Sequence, residues 1–436
     1  MITTIFILQT RYQLLIAGSS GWNNYRHQAD VMALSTLLHS NSSNIVTTMM
    51  KNDIVNHEDN PYPGKLFNTL KTSDNYNIYN KDYINSSIIT LDNMKDLMKN
   101  FNFTHDDIIT IYYNDHGAPG LLCSPYNNDP SNREFFADDI NDYLKELSTT
   151  GAKILFIIES CYSGSVAKYI SLPNVLTIAA ANSIESSYAA KFSEDLSTFV
   201  SNVFTLNLIN YINDPRNGDK TLLDLVNYLC ANTLRSTVSM YGDRYHTQSL
   251  IGYKLNTIFG TLEPIPRDNE YLDNAELFNI NEQAVRTQNI DLMRYHQHTL
   301  NYDMLKEYIH LLKQRQRHQK LFKNILSNIS ASLRLAGAFD NYYDSSLFKP
   351  LMYDKRDFNM KSHALNDKFQ SMPEEIIFQD FTCWKQSIRS YKHYCGIIDD
   401  AELDQLLPSL ARICYHYPNQ TDIITLNIRR ECLAYY

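Results

Sequence analysis

No stretch of this 436-residue chain approaches the run of about 20 consecutive apolar residues that a bilayer-spanning helix needs. That excludes a membrane anchor within the sequence. Nor is there an excess of positive charge. The 39 Lys+Arg against 48 Asp+Glu leave a net charge of −9, which gives no reason to expect nucleic acid as a partner. The first residues lack a basic n-region, and the apolar Ile5–Leu8 is shorter than a usual signal peptide, so residues 1–10 are expected to be at most a short signal segment. The 31 tyrosines have no repeat period and carry no functional reading. Only seven cysteines are present, but Cys383, Cys395, Cys414 and Cys432 crowd into the last 54 residues. Such clustering points to a local disulfide framework and hence to the secretory pathway. Asn-x-Ser/Thr sequons at Asn41, Asn85, Asn102, Asn328 and Asn419 agree with it, each weakly.

The stretch Lys153–Ser165 organises the rest. Ile154 to Ile158 are apolar and largely β-branched or aromatic, too short for a buried helix, and read as an interior strand. The run ends in Glu159, Ser160 and Cys161, followed by Ser163-Gly164-Ser165. A buried strand ending in a charged residue, a thiol and a flexible turn presents that thiol at the carboxyl edge of a sheet. Open α/β sheets bind their ligands at that edge. Cys161 is therefore a candidate nucleophile; the alternative is a small buried core residue, the usual fate of a cysteine outside a disulfide.

A thiol attacks an amide only as thiolate and needs a neighbouring base. Asp107–Tyr113 repeats the layout: an apolar strand that ends in Asn114-Asp115-His116-Gly117. Adjacent parallel strands would bring His116 and Cys161 to one edge. The Gly117 N–H, with no Cβ in the way, and the N–H of Cys161 could form an oxyanion hole, worth about 2.7–4 kcal/mol per donor removed in other acyl-transfer enzymes. Arg26, His27 and Glu159 are the other polar residues expected there. An Arg beside a carboxylate offers fixed donors and an acceptor, which suits a carboxamide side chain, or else forms a structural ion pair.

Further strands are expected at Tyr12–Ala17, Ile45–Met50, Val175–Ala180 and Ser249–Leu255. Helices are expected from Asp30 to Leu38, near Asp138–Leu147, and over Ser193–Tyr211 and Leu222–Arg235. Residues 65–105 read as surface structure. Alternating strands and helices imply βαβ units, a mostly parallel sheet and an α/β fold. The pattern changes after Thr261. An α/β domain over 11–261, a polar linker over 262–302 and a helical segment over 303–436 follow from that change. Phe322, Ile325, Leu326 and Ile329 lie at core spacing, and Lys313, Arg315, Arg317, Lys320 and Lys323 make a solvated face.

Four stretches together resemble legumain, the asparaginyl endopeptidase family: Ala17–Asp30, Glu58–Gly64, Tyr113–Gly117 and Glu159–Ser165. Ala180-Ala181-Asn182 through Ala189 is similar too, and the four C-terminal cysteines resemble those of the family's prodomain. The resemblance implies a caspase-like α/β sandwich followed by a helical prodomain, and a cysteine endopeptidase cutting after asparagine in a lysosome, a vacuole or outside the cell. It implies Cys161 as nucleophile, His116 as acid/base and Asn24 as the residue orienting that histidine. Gly117 and Cys161 would supply the oxyanion donors, and Arg26, His27, Glu159 and Ser187 fall on specificity-pocket positions. Asp115 falls on a modifiable aspartate. The pairing Cys383–Cys414 and Cys395–Cys432 is likewise implied. The expected partners are peptide substrates and the chain's own prodomain as inhibitor; no cofactor or metal is expected.

One position departs from the family. Where legumains carry a pocket aspartate, this chain has Asn202, so weaker rejection of substrate aspartate is expected, with asparagine still preferred. Asn279, Asn281 and Asn289 are candidate self-cleavage sites. Two alternatives remain. The catalytic subunit of a glycosylphosphatidylinositol transamidase would carry a membrane segment and no four-cysteine prodomain, the reverse of this chain. An inactive binding homologue would not need Cys161, His116 and Asn24 intact.

Overall fold

The structure, a computed structural model, describes residues 9–19, 21–50, 53–85, 89–123, 134–242, 249–268, 317, 320–333, 335–336, 375–396 and 406–435. The candidate cleavage sites Asn279, Asn281 and Asn289 and most of the 262–302 linker lie outside these residues. Two compact units divide the chain: Met1–Gly117 with Leu121–Asp291, and Ala118–Gly120 with Leu292–Tyr436.

The α/β part of the chain contains, in order, β1 (Arg11–Ala17), α1 (Tyr25–His39), β2 (Asn44–Met50), β3 (Ile84–Asn85), α2 (Leu91–Lys99), β4 (Ile108–Asn114), β5 (Gly117–Ala118) and β6 (Leu121–Leu122). It continues with β7 (Phe135–Phe136), α3 (Ala137–Ser148), β8 (Lys153–Glu159), α4 (Ser163–Tyr169), β9 (Val175–Ala179), β10 (Ala189–Ser193) and β11 (Thr198–Asn202). It ends with α5 (Val203–Ile212), α6 (Leu222–Asn232), β12 (Ser239–Gly242) and α7 (Leu255–Phe259). The central sheet runs β12-β9-β8-β4-β1-β2-β3. Its pairs are parallel except β12 on β9. The fold is therefore α/β with a mainly parallel sheet, as the alternating pattern implies.

The apolar runs explain which strands are central. Every residue of β4 is buried, and all of β8 after Lys153. A strand covered on both faces has no polar alternation to show. The chain steps from β1 outward to β2 and β3, then returns to the other side of β1 with β4. This reversal makes the carboxyl ends of β1 and β4 a switch point, where open sheets leave a crevice.

Helix α1 is buried nearly all round, twelve of its fifteen residues among them Tyr25, His27, Gln28 and Asp30. It packs against β1 and β2 and also against β11 of the β10–β11 hairpin. A helix covered on two sides loses the one-sided stripe of a surface helix. Its polar residues are consequently held in the interior, and they build the site.

Three expectations need correction. Ser193–Tyr211 is not one helix. The hairpin β10–β11 occupies its first part, and α5 begins only at Val203. Ser249–Leu255 is not a strand; the Ser249 hydroxyl caps a single turn at Leu250–Gly252, and α7 starts at Leu255. The late strand is β12, half-buried on the sheet edge. Residues 65–105 are not surface structure throughout, since Leu66 and Phe67 are buried and α2 buries Met94 and Met98 on one face.

The second unit is helical. Residues 320–333 form α8, which buries Phe322, Ile325, Leu326 and Ile329 while Arg317, Lys320 and Lys323 are exposed, as the spacing implies. Helices α9 (Thr382–Cys395), α10 (Leu407–His416) and α11 (Thr421–Tyr435) follow. Disulfides Cys383–Cys414 and Cys395–Cys432 tie α9 to α10 and to α11, with Cα separations of 5.5 and 5.0 Å. No helix among the described residues is long and apolar enough to cross a membrane.

Candidate active site

The site grows from the register of two strands. Asn114 on β4 pairs with Glu159 on β8, and the Asp115 N–H donates to the Glu159 carbonyl at 3.1 Å. His116 and Cys161 each stand two residues beyond that pair, at the same carboxyl edge. After Cys161 the chain turns sharply: Tyr162 adopts the left-handed conformation (φ 55°) and leads directly into α4. A bulky residue there costs on the order of 1–3 kcal/mol and persists only where the surroundings impose it. Cys161 is partly exposed, and its Sγ lies 3.8 Å from the Ser187 carbonyl.

Asn24, in the loop between β1 and α1, reaches His116: Nε2 and Oδ1 are 2.9 Å apart. A carboxamide oxygen can only accept, so His116 donates through Nε2–H. In the neutral ring Nδ1 is then the basic nitrogen.

Gly117 has no room for a side chain. A Cβ there would stand 2.4 Å from the Cys161 carbonyl oxygen and 2.9 Å from Ser160 Oγ. The backbone after His116 thus lies against the backbone of Cys161. Gly18 is similar, its missing Cβ being 2.5 Å from Asp115 Oδ2.

His27 and Asp115 form a buried layer beside His116. The His27 ring meets that of His116 edge-on at 5.1 Å, and its Nδ1 bonds to the Ser19 hydroxyl and lies 3.7 Å from Asp115 Oδ1. Burial, then the charge of Arg26 and then His116, hold the His27 pKa well below the usual histidine value, so the ring is neutral. Asp115 accepts the His116 N–H at 2.6 Å. The ligand atoms of His27, Asp115 and His116 lie within 4.8 Å of one another.

Arg26 does not pair with Glu159. Its Nε donates to Asn202 Oδ1 at 2.9 Å, and Nη1 donates to the Asn23 carbonyl at 3.1 Å. Among the described residues no acceptor faces Nη2. Glu159 is buried, and its Oε2 accepts from the N–H and hydroxyl of Thr205 at 3.2 and 3.1 Å. Its Oε1 is buried without a hydrogen-bond partner of normal geometry. Burial, reinforced by the nearby Asp30, raises the Glu159 pKa to about 8, with Ser187 and Thr205 pulling partly the other way. Below that pH it is a neutral acid, able to donate and to accept.

The sequence-selected residues are thus divided between two neighbouring groups. Asn24, His27, Asp115 and Gly117 adjoin His116; Arg26 is bonded to the buried Asn202, and the buried Glu159 to Thr205 and Ser187. Sequence reasoning missed Asp30, Asn68, Asn114, Ser201 and Thr205. One signal was available: Asp30 is an acid inside the apolar face of a helix, four residues after Arg26.

Several proteins share this sequence pattern. Legumain of Bos taurus is 31% identical over 248 residues, covering 53% of this chain and 56% of the bovine protein. Legumain of Homo sapiens is 30% identical over 250 residues, with the same coverage of 53% and 56%. The chain thus spans little more than half the length of the legumains it matches. A vacuolar-processing enzyme of Citrus sinensis is 25% identical over 435 residues, covering 93% of this chain and 81% of that protein. Among solved structures, caspase-1 from Spodoptera frugiperda has a TM-score of 0.35 at 10% identity over 61% of this chain and 93% of that one, too slight a likeness to argue from. The peptidase C13 profile matches residues 11–257, the span that carries Asn24, His116 and Cys161, and the chain belongs to the peptidase C13 family.

Proposed function

We propose that this chain is a cysteine endopeptidase that hydrolyses peptide bonds after asparagine. The observation that carries the reading is the hydrogen bond from His116 to Asn24, with His116 and Cys161 each two residues beyond the last pair of two adjacent parallel strands. Asn24 fixes the ring so that Nδ1 is the base. His116 takes the thiol proton of Cys161, and Sγ attacks the scissile carbonyl carbon. The N–H groups of Gly117 and Cys161 receive the oxyanion. Collapse of the tetrahedral intermediate breaks the C–N bond, and the histidine gives its proton to the leaving amine. Water, deprotonated by His116, then cleaves the thioester and restores the thiol.

The asparagine preference is supported by the chemistry around Arg26. A carboxamide needs a donor for its oxygen and an acceptor for its NH2. Arg26 Nη2 is a spare donor that Asn202 holds in place through Nε, and the neutral Glu159 carboxyl offers the complementary acceptor. Two disulfides in the C-terminal unit, and relatives named legumain and vacuolar-processing enzyme, support synthesis in the secretory pathway and work in a lysosome- or vacuole-type compartment. The C-terminal unit is then a pro-segment released by cleavage after Asn279, Asn281 or Asn289. The test is to acidify the full-length protein and assay an Asn-containing fluorogenic peptide beside Cys161→Ala. Cleavage after asparagine that is lost in the variant is expected; activity that survives it, or never appears, would overturn the reading.

A further inference from the structure

Behind Asn202 lies a buried carboxylate that accounts for nothing in the reaction above. Asp30 on α1 is buried, and five donors converge on it. Asn68 Nδ2 and Ser201 Oγ donate to Oδ1 at 2.8 and 2.6 Å. The Asn202 N–H, Asn202 Nδ2 and Asn114 Nδ2 donate to Oδ2 at 2.9, 2.9 and 3.2 Å. A set composed only of donors suits an ionised acceptor, because a protonated acid would have to place its own O–H against one of them.

This network dictates how Asn202 is turned. Its NH2 must face Asp30 Oδ2 and also Asn114 Oδ1 at 3.1 Å, since both are acceptors. Its oxygen is therefore committed to Arg26 Nε. The result is a continuous path, Arg26 to Asn202 to Asp30, in which a carboxylate orients an amide and the amide oxygen orients a guanidinium. On the far side, Arg267 Nη1 donates to Asn68 Oδ1 at 2.7 Å, and the charges of Arg267 and Asp30 support one another.

We propose that Asp30 is a specificity-determining residue acting through Asn202: it locks Arg26 in place and supplies the negative potential that repels a substrate aspartate. The assignment rests on the asparagine reading above. It modifies what Asn202 alone implies, because the charge absent at 202 has a counterpart one hydrogen bond deeper. Asp30 is buried, so its potential is poorly screened by salt. Burial raises its pKa to about 6 against the pull of Ser201, Asn68, Asn202 and Asn114. The other ionisable groups facing it are Tyr112 on β4, Glu159 on β8, Arg267 and, through Asn202, Arg26. Of these, Tyr112 is held well above its usual pKa and Glu159 is neutral below about pH 8. Rejection of aspartate should therefore strengthen as pH rises through the Asp30 transition.

The test compares matched Asn and Asp peptides as kcat/KM ratios between pH 5 and 8, using acid-activated full-length protein. Asp30→Asn is expected to lower the Asn/Asp ratio by on the order of tenfold at the upper end of that range. Ser201→Ala removes one donor and leaves the carboxylate, so the pH at which the ratio changes should move upward. It decides the matter if Asp30→Asn does not fold. A parent chain that cuts neither peptide would overturn the asparagine reading. A parent that cuts after asparagine, with an unchanged ratio in Asp30→Asn and an unmoved transition in Ser201→Ala, would overturn this assignment alone.

Discussion

Asn24 stands at the N-cap of α1 and does not cap it. Its side chain makes no capping bond, and its oxygen accepts from His116 Nε2 at 2.9 Å instead. A capping asparagine replaced by alanine usually costs about 1 kcal/mol of stability. Here that contribution is absent, so Asn24→Ala is expected to leave Tm nearly unchanged. If the oxygen orients the histidine, kcat falls by about tenfold or more. Measuring both separates the roles: a lowered Tm with an unchanged kcat would mean that the contact is structural.

Glu159 and Asp30 make stability depend on pH in an unusual direction. Their folded pKa values, about 8 and about 6, lie above the 4.5 and 3.8 of solvated carboxyls. Between each solvated and folded value the native state binds more protons than the unfolded chain, so stability falls as pH rises through that window. Glu159→Gln should therefore raise Tm by several degrees at pH 8 and leave it almost unchanged at pH 4. Equal shifts at both values would show that Glu159 is not held neutral. The same sign fits a protein that works in an acidic compartment.

The strands that hold these residues were legible because they are buried on both faces. Apolar residues dominate positions 14–17, 108–113 and 154–158, and the polar residues that follow mark the sheet edge. The β10–β11 hairpin was not legible because its turn carries no glycine or asparagine signature. Lys191 and Ser197 adopt positive φ values of 55° and 50°, positions that sequence reasoning reserves for residues tolerant of that region. For the site, His116 and Cys161 announce their chemistry by their place just past strand ends, whereas Asn24 is picked out only by the family resemblance of the stretch Ala17–Asp30. Asp30 does not announce its chemistry, since its meaning depends on Asn202 far along the chain.

Lys191 also forms a buried ion pair with Asp268, whose other oxygen accepts the Leu70 N–H at 2.8 Å. Removing one member of such a pair leaves an uncompensated charge in the interior, at a cost of about 3–5 kcal/mol. Asp268→Ala should therefore destabilise the peptidase unit strongly, and added salt should not reproduce the effect in the parent chain. Lys191→Met with Asp268→Leu should recover much of the loss. A mild effect of Asp268→Ala in chemical denaturation would show that the pair is hydrated.

The sequons differ in what a glycan would displace. Asn102 and Asn419 are exposed. Asn328 is half-buried on α8 and donates through Nδ2 to Glu431 Oε1 on α11 at 2.7 Å. A sugar is attached to that same nitrogen, where it would replace one of the two N–H groups and crowd the contact between the two helices. Asn41 is also engaged, donating to the Thr261 carbonyl at 2.9 Å. Because attachment precedes folding, chains modified at Asn328 should fail to assemble the helical unit and be absent from the secreted pool. Protein purified from a secretory host should carry glycans at Asn102 and Asn419 and none at Asn328, read by mass spectrometry of glycopeptides. A folded product substantially glycosylated at Asn328 would mean that α8 and α11 do not pack in this way.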